Sequence, residues 1–541
     1  MIENGAKAVV NILEQHGTDI IFGYPGAAIA PFYDKLLTSS IKHVLVRNEQ
    51  GGVHAASGYA KTTGKVGVCI ATSGPGATNM ITGIATAYMD SIPIVAITGQ
   101  VLSSQIGKDV FQEADITGAT APFCKHNYLV KDASKLPGII NEAFMLASTG
   151  RPGPVLVDIP IDILLHEMEY DYSYSFNIPG YQYQFEIDEK QIEAVCQVIN
   201  QSKKPLIIAG GGIISSGSKD ILYKISHEFD IPVTYTLMAK GCLDDNYERN
   251  LGMLGSHGTY SANKAVHDCD LLLIAGGRVG DRSFNSASDM YQKKTIIHID
   301  IDPAEIGKNI TVDYELNGDA RDFLHAIHAR LKKSDREKWI VNRKKTAELE
   351  SKFVNGDGTI DPKDVLLCLA KHIDDDAIIT TEVGQNQIWA ANLIDIKTSN
   401  MFVTSGGMGT MGYGLPASVG CKSGNRDKQV IAIEGDGSLQ MSLQELGTIM
   451  QEDLDIKIIL FNNCSLGMVR ELQSLKFEKR HSGVCLKSNP DFMALFASYG
   501  FKGARLYDKE KIEEEIEKML SYKGTYVLEC IVDNDNPTIY R

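Results

Sequence analysis

The sequence lacks the paired cysteines that mark a disulfide framework or a metal finger. Its ten cysteines are spread over 541 residues, and none of them forms a CxxC pair. Isolated thiols of this kind are typical of proteins that remain in a reducing compartment. We therefore expect free cysteines and a cytoplasmic protein.

Long apolar runs and an excess of basic residues are missing as well. No apolar stretch reaches the length of a membrane span, and 53 Lys and Arg residues stand against 68 Asp and Glu, for a formal net charge of −15. This balance disfavours nucleic acid and anionic membranes as partners. The amino-terminal stretch MIENGAKAVVNILEQHG indicates an amphipathic helix from near Asn4 to Gly17 and not a signal peptide.

What the sequence does contain is a repeated alternation of apolar strands and helices, which predicts an α/β protein. The length suggests about three domains, and we place them at residues 1–165, 188–340 and 358–541. A polar, tyrosine-rich stretch at 166–187 indicates a linker, and a charged helical stretch at 334–357 leads into the third unit. In the first unit, strands are expected near residues 20–23, 43–46, 66–71, 94–98 and 155–158.

The stretch from Val430 to Asn463 has the pattern of a parallel crossover unit, with a strand, an acidic glycine turn, a helix and a second strand. Asp436 and Asn463 each follow one of the two strands, so their oxygens can converge at one sheet edge. Together with the backbone carbonyl of Ser465 they form a set of oxygen ligands suited to Mg²⁺ shared with phosphates. The turn residues Gly435, Gly437 and Ser438 would let a diphosphate approach the backbone. Val68–Thr98 has the same order, which suggests that the first and last thirds share one architecture.

Glu49 lies where a strand gives way to a helix rich in small residues, a usual place for a catalytic side chain. A lone glutamate there could equally be a helix-start acid that interacts with the helix dipole. The pattern of Asp436 and Asn463 resembles the thiamine diphosphate motif, and in enzymes with that motif such a carboxyl group hydrogen-bonds the aminopyrimidine ring and helps to remove the thiazolium proton.

Ten ordered stretches carry a resemblance to a known family. They are FGYPGAAIAPFYD (22–34), RNEQGGVHAASGYA (47–60), TSGPGATN (72–79), FQEADITG (111–118), GRPGPVLVDIP (150–160), LGMLGSHG (251–258), IIHIDIDPAEIGKN (296–309), VGQNQIWA (383–390), TSGGMGTMGYGLPAS (404–418) and the Val430 unit. The chain resembles the large subunits of acetohydroxyacid synthase, also called acetolactate synthase, over nearly its whole length.

The resemblance implies three doubly wound parallel-sheet domains of the thiamine diphosphate enzyme type, which bind the pyrimidine, FAD and the diphosphate with Mg²⁺. It implies a site between two subunits, one supplying Glu49 and the other Asp436 and Asn463. The active unit would be a homodimer or a dimer of dimers, with room for a regulatory small subunit.

The same resemblance assigns further residues to the site. Gln112 would line the reaction centre, and Arg278 would pair with a substrate carboxylate. Residues expected to contact thiamine diphosphate are Gly384, Gln385, Asn386, Met411 and Met468. Residues expected to contact FAD are Gly211, Gly212, His257, Gly258, Arg278, Asp300 and Asp319, although the glycines could serve turn geometry alone.

The implied reaction is decarboxylation of pyruvate on thiamine diphosphate and addition of the hydroxyethyl carbanion to a second 2-oxo acid, either pyruvate or 2-oxobutyrate. The alternatives are another thiamine diphosphate-dependent lyase, oxidase or acyltransferase of 2-oxo acids, or a non-catalytic subunit that keeps the fold. Glu49 counts against a glyoxylate carboligase, which typically lacks this residue.

Several positions depart from the family pattern close to the expected substrate. Leu472 stands where tryptophan is typical, and Ile161 where lysine is usual. Asn48 replaces a common histidine, Leu102 replaces a proline, and Val279-Gly280 replaces Phe-Asp. They represent either drift within one function or a changed acceptor pocket, so the acceptor stays open.

Overall fold

The computed structural model describes residues 2–174, 176, 178–284, 291, 293–333, 339, 360–398 and 401–538. Within them the chain forms three six-stranded sheets whose paired strands are all parallel. This arrangement confirms the predicted α/β class with three parallel-sheet units. Most of the expected charged helical stretch at 334–357 lies outside the described residues.

The first unit carries a short outer pair of strands and one six-stranded sheet. Its strands are β1 (Ile2–Asn4), β2 (Ile20–Gly23), β3 (Lys42–Leu45), β4 (Gly67–Ala71), β5 (Ile94–Gln100), β6 (His126–Leu129), β7 (Pro154–Pro160) and β8 (Glu167–Glu169). Its helices are Gly5–Gln15, Ala30–Leu36, Glu49–Thr63, Pro75–Asn79, Ile81–Met89, Ile116–Thr120, Leu136–Ser148 and Ile161–Leu165. The sheet order is β3-β2-β4-β5-β7-β6. The five expected strands are present, and the polar strand β6 was not predicted.

The middle unit has strands β9 (Pro205–Ala209), β10 (Val233–Tyr235), β11 (Asn250–Met253), β12 (Leu271–Ala275), β13 (Thr295–Asp300) and β14 (Tyr314–Asn317). Its helices are Glu189–Gln201, Gly211–Ser215, Lys219–Glu228, Tyr260–Asp268 and Ala320–His328. The order β11-β10-β9-β12-β13-β14 reverses direction between β9 and β12. Such a reversal opens a crevice at the carboxyl ends of the two central strands, where dinucleotides bind in doubly wound sheets.

The last unit repeats the strand order of the first. Its strands are β15 (Ile378–Thr381), β16 (Phe402–Val403), β17 (Val430–Gly435), β18 (Lys457–Asn462), β19 (Lys502–Leu506) and β20 (Tyr526–Ile531). Its helices are Pro362–His372, Gln385–Leu393, Gly414–Gly424, Asp436–Leu439, Leu446–Gln451, Gly467–Lys476, Phe492–Ser498 and Ile512–Ser521. The order β16-β15-β17-β18-β20-β19 matches that of the first sheet strand for strand. The architecture that the sequence suggested for both thirds is therefore the same.

The stretch interpreted as a linker is partly built into the first unit. Strand β8 pairs antiparallel with β1, with Ile2 opposite Glu169 and Asn4 opposite Glu167. Tyr170 is buried in the core of the first unit, and Tyr172 packs against that core. These tyrosines thus supply apolar area to that core, while the hydroxyl group of Tyr170 donates to the His166 carbonyl at 3.0 Å and that of Tyr172 donates to Glu3.

No helix among the described residues combines the length and the apolar character needed to cross a membrane. The first predicted helix is confirmed as Gly5–Gln15. Its cap is Asn4, whose side chain accepts a hydrogen bond from the Lys7 amide, and Gly17 has a φ of +70°.

Candidate functional site

The carboxyl edge of the third sheet brings Asp436 and Asn463 together. Strands β17 and β18 are in register, with Gly435 opposite Phe461. Asp436 follows the first strand and Asn463 the second, so both emerge at the same edge. The turn that was predicted after β17 contains one helical turn, Asp436–Leu439, whose amino end faces this edge.

Asp436 is buried, with 2% of its surface exposed, and burial raises the pKa of its carboxyl group to about 6. One carboxylate oxygen accepts a hydrogen bond from the side-chain amide of Asn489 at 2.7 Å. The other accepts the Gly437 amide at 3.1 Å. Asn489 also donates to Asn462 at 3.2 Å and so joins the two strand ends. No local sequence pattern points to Asn489, because it approaches from a segment that follows both strands.

A single cleft at this edge contains every residue assigned to thiamine diphosphate and the metal. They are Gly384, Gln385, Asn386, Met411, Gly435, Asp436, Gly437, Ser438, Asn463, Ser465 and Met468. Trp389 and Phe461 form part of its wall and meet edge to face with ring centres 5.6 Å apart. The residues come from four separate sequence stretches, so the fold alone brings them together.

Two positions of the cleft, Gly384 and Gly435, have a structural reason to be glycine. Gly384 has a φ of +148° and precedes the helix Gln385–Leu393, and only glycine adopts this conformation readily. A side chain at Gly435 would lie 2.9 Å from the Asn386 amide nitrogen. The side-chain oxygen of Asn386 is buried, and no group among the described residues forms a hydrogen bond with it. An unsatisfied polar atom in a cleft is a place where a bound ligand can complete the bonding.

Glu382 was not identified from the sequence, yet it fixes the segment that carries Met411. Its carboxylate is fully buried and accepts the amides of Gly412 and Gly414, each at 2.8 Å. Because Gly414 begins the helix Gly414–Gly424, the carboxylate also lies at the positive end of a helix dipole. Burial nevertheless raises the pKa of Glu382 above its ordinary value.

Glu49 lies in the first unit, outside this cleft. It is the first residue of the helix Glu49–Thr63, is 9% exposed, and accepts a hydrogen bond from the Asn79 amide at 2.9 Å. A side chain at Gly76 would lie 3.3 Å from its other oxygen. Asn79 and Gly76 belong to the stretch TSGPGATN, which carried the resemblance without any site assignment. Asn48 caps the same helix by accepting the Gln50 amide at 2.9 Å, which gives that departure a structural use.

Gln112 is held in a strained backbone conformation next to the same stretch. Its φ is +60°, unusual for a residue with a side chain. Its Cα lies 2.9 Å from the position that a Cβ at Gly74 would take, so the glycine permits the contact. The loop is anchored by Gln100, whose amide donates to the carbonyl of Ala114 at 2.9 Å and to Asp158 at 2.9 Å. Glu49 and Gln112 therefore flank one turn of the first unit.

Arg278 follows β12 of the middle unit and reaches toward the third unit. A side chain at Gly407 would lie 2.9 Å from a guanidinium nitrogen of Arg278 and 2.8 Å from the carboxylate of Asp90. Asp90 itself accepts the Gly407 amide at 2.6 Å. The arginine thus stands where the three units meet, and it lies outside the residues that line the cleft. Val279, one of the departures, is buried.

Most of the residues assigned to FAD lie along the carboxyl edge of the middle sheet. Gly211 and Gly212 follow β9, Asp300 ends β13, and Asp319 comes two residues after β14. A side chain at Gly212 would lie 2.7 Å from the Cα of Gly276, so the packing of the two strand ends already requires a glycine.

Three of these residues have visible local roles. Asp319 caps the helix Ala320–His328 by accepting the Arg321 amide at 2.8 Å. The carboxylate of Asp300, whose pKa burial raises to about 6, accepts the amide of Asp302 at 2.9 Å. The backbone oxygen of His257, in the loop after β11, accepts a hydrogen bond from Asn392 of the third unit at 3.0 Å.

The departures fall in different places. Leu472 lies on the helix Gly467–Lys476, which also carries Met468, and 44% of its surface is exposed. Ile161 begins the helix after β7, and Leu102 is an exposed residue just after β5. Only Leu472 shares an element with the cleft.

Sequence comparisons place the chain in a class. Residues 3–119 match the thiamine pyrophosphate enzyme N-terminal TPP binding domain, residues 192–327 the central domain, and residues 382–530 the C-terminal TPP binding domain. These three matches define a thiamine pyrophosphate enzyme.

Comparison with individual proteins identifies the family within this class. The chain is 42% identical over 544 residues to a probable acetolactate synthase large subunit of Methanocaldococcus jannaschii, covering 98% of this chain and 92% of that protein. It is 44% identical over 547 residues to the acetolactate synthase large subunit of Corynebacterium glutamicum, covering 98% and 87%. It is 42% identical over 552 residues to that of Buchnera aphidicola, covering 100% and 96%. The chain belongs to the acetolactate synthase large-subunit family.

Proposed function

We propose that this protein is an acetolactate synthase-type carboligase that decarboxylates pyruvate and joins the resulting two-carbon unit to a second 2-oxo acid. The observation that carries the proposal is the cleft, which collects all eleven residues assigned to thiamine diphosphate and the metal. Relatives named acetolactate synthase match the chain over nearly its full length. Together they support this chemistry over the other thiamine-dependent alternatives.

The chemistry of the cleft fits thiamine diphosphate with Mg²⁺. Bound thiamine diphosphate supplies the electron sink for decarboxylation and for carbon–carbon bond formation. Asp436, Asn463 and Ser465 offer oxygen ligands, and Asp436 is a buried carboxylate bonded to amide groups. A divalent cation would balance its charge. Gly384, Asn386 and Gly435 would hold the diphosphate near the amino ends of two helices.

A second copy of the chain would complete the site. Every residue that lines the cleft comes from the third unit, whereas Glu49 bonds Asn79 within the first. The helix that carries Leu472 leaves Leu475 77% exposed, and Phe111 beside Gln112 is 88% exposed. Apolar side chains exposed beside incomplete sites support an isologous dimer in which each copy gives Glu49 and Gln112 to the cleft of the other.

We also propose FAD in the middle unit. The reversal between β9 and β12 is the place where doubly wound sheets bind dinucleotides, and Gly211, Arg278 and Asp300 lie along that edge. Purified protein should show a flavin absorbance spectrum that is lost on unfolding and washing. A colourless protein that stays colourless with added FAD would contradict this assignment.

The remaining assignments follow from the same reasoning. We place the domains at about 1–165, 188–340 and 358–541, which the three sheets and the three family matches support. Relatives named large subunits support a separate regulatory small subunit. Cysteines that are all free support a cytoplasmic location.

The deciding experiment is a product assay with thiamine diphosphate, Mg²⁺, FAD and pyruvate, with and without equimolar 2-oxobutyrate. We expect acetolactate from pyruvate alone.

Glu49→Gln should lower the rate of acetolactate formation by about 10²–10⁴-fold with cofactor binding retained. Asp436→Ala should weaken Mg²⁺-dependent cofactor binding. Oxygen uptake or acetaldehyde without carboligation would reject the proposal.

A further inference from the structure

Glu445 of the third unit reaches across to the start of the helix that carries Glu49. Its carboxylate, 1% exposed, accepts the backbone amides of Arg47 at 3.1 Å and Asn48 at 3.0 Å. Asn48 is the cap of the helix Glu49–Thr63, so the carboxylate bonds the residue immediately before Glu49. A negative group at this end of a helix is also favoured by the helix dipole.

The contact between the Glu445 carboxylate and the start of the helix Glu49–Thr63 requires a close approach. A side chain at Gly51 would lie 2.6 Å from an oxygen of Glu445, so glycine in the first turn of the helix lets the carboxylate reach the backbone. Glycine inside a helix is destabilising relative to alanine, and this contact gives a reason for the glycine at this position. The hydroxyl group of Thr448 donates to the other carboxylate oxygen at 2.6 Å and fixes its rotamer.

Further bonds hold the same two segments together. The guanidinium group of Arg47 donates to the carbonyl of Gly447 at 3.2 Å and to the side chain of Gln451 at 2.8 Å. Lys42 forms an ion pair with Glu452 at 2.7 Å. Among these groups, Glu445 is the one that bonds the helix cap itself, while the others hold the strand that leads to it.

We propose that Glu445 is a positioning residue for Glu49. It fixes the backbone of Arg47 and Asn48 and thereby sets the direction in which the Glu49 carboxylate points. Its effect is exerted through Glu49, because its own contacts are to the protein backbone and to Thr448. The inference rests on the proposed function, in which Glu49 assists removal of the thiazolium proton.

The test compares Glu445→Gln with Glu452→Gln, a matched change in the same interface that leaves the helix cap untouched. Two quantities are measured on the whole protein. One is the dissociation constant of thiamine diphosphate with Mg²⁺, followed by the fluorescence of Trp389 in the cleft wall. The other is the rate at which the thiazolium carbon of the bound cofactor exchanges its proton for deuterium.

We expect Glu445→Gln to slow proton exchange by at least about tenfold while the dissociation constant changes by less than about twofold. Glu452→Gln should match the unaltered protein in both. In the absence of cofactor, the backbone amides of Arg47 and Asn48 should exchange faster in Glu445→Gln alone. An unchanged proton-exchange rate in Glu445→Gln would overturn the inference.

A milder variant covers the case in which Glu445→Gln does not fold. Thr448→Val removes the hydroxyl group, which bonds the Glu445 carboxylate at 2.6 Å and the Leu45 carbonyl more weakly at 3.4 Å, and it should slow proton exchange by about two- to fivefold. An exchange rate equal to that of the unaltered protein would then reject the role of Glu445. Failure of the proposed function gives a different result, because the unaltered protein and Glu49→Gln would then exchange at the same rate.

Discussion

Leu472 is the single residue through which acceptor choice can be tested most directly. It lies on the same helix as Met468, which lines the cleft, and much of the Leu472 side chain is exposed. We expect Leu472→Trp to raise the proportion of acetohydroxybutyrate over acetolactate when pyruvate and 2-oxobutyrate compete, because the indole adds apolar contact with the larger acceptor. One methylene is worth about 1–3 kcal/mol of discrimination.

Leu472→Phe is the matched control, since it adds a smaller ring and should give an intermediate ratio. A product ratio that is the same in all three proteins would mean that the acceptor pocket is shaped elsewhere.

Asp158 gives a residue-scale prediction about pH. It is 2% exposed, and burial raises the pKa of its carboxyl group to about 7, although Thr98 and Gln100 donate hydrogen bonds to it. Between the ordinary value of 3.8 and about 7, the folded protein holds a proton that the unfolded chain has lost. The contribution of Asp158 to stability should therefore decrease as pH rises through this window and level off above it.

Asp158→Asn cannot ionise and isolates this contribution. The free energy of unfolding, measured by chemical denaturation, should differ least between the two proteins near the acidic end of the window, where Asp158 is protonated and neutral like asparagine. The unaltered protein should lose stability relative to Asp158→Asn as pH rises through the window. A difference that stays constant across the window would show that Asp158 keeps its ordinary pKa.

At the scale of one element, Glu382 should determine how firmly the segment around Met411 is held. In Glu382→Gln, only one of the two side-chain oxygens remains to accept the two backbone amides, and the NH₂ group that replaces the other oxygen faces the second amide. The amide that loses its acceptor costs about 1–3 kcal/mol. Hydrogen exchange at Gly412 and Gly414 should become faster, and affinity for thiamine diphosphate should fall. Exchange at Gly437, across the cleft, should stay unchanged. Unaltered protection of Gly412 and Gly414 would contradict this role.

The elements show what sequence reasoning can and cannot reach. Asp436 and Asn463 were predictable because strand ends that follow one another in a parallel sheet meet at one edge. Strand β6 was missed because its sequence, HNYL, is polar and half-exposed at the sheet edge. Asn489, Glu382 and Glu445 were missed for a different reason. Their partners are backbone groups or residues far away in sequence, and no local pattern encodes such contacts.

At the scale of the whole molecule, the proposed dimer predicts complementation between two inactive variants. In a hybrid of one Glu49→Gln chain and one Asp436→Ala chain, one of the two sites would combine an intact Glu49 with an intact Asp436. Co-expression should therefore restore about a quarter of full activity if the chains pair at random. Sedimentation should show dimers or larger assemblies in every sample.

Each variant alone should remain inactive, which serves as the control. A mixture with no more activity than its components would indicate that each site is built from one chain. In that case Glu49 would have to reach the cleft of its own subunit.

The pairing of β1 with β8 has a consequence for how the first unit can be engineered. Its opening residues, Ile2–Asn4, lie one strand spacing from Glu167–Glu169, which form the last strand of the unit; paired strands are about 4.8 Å apart. The first and last strands of the unit are therefore neighbours. A circular permutant that joins these ends with a short glycine linker and opens the chain at an exposed loop should keep the same sheet. The first unit is in this sense a module whose place in the chain is independent of its internal architecture.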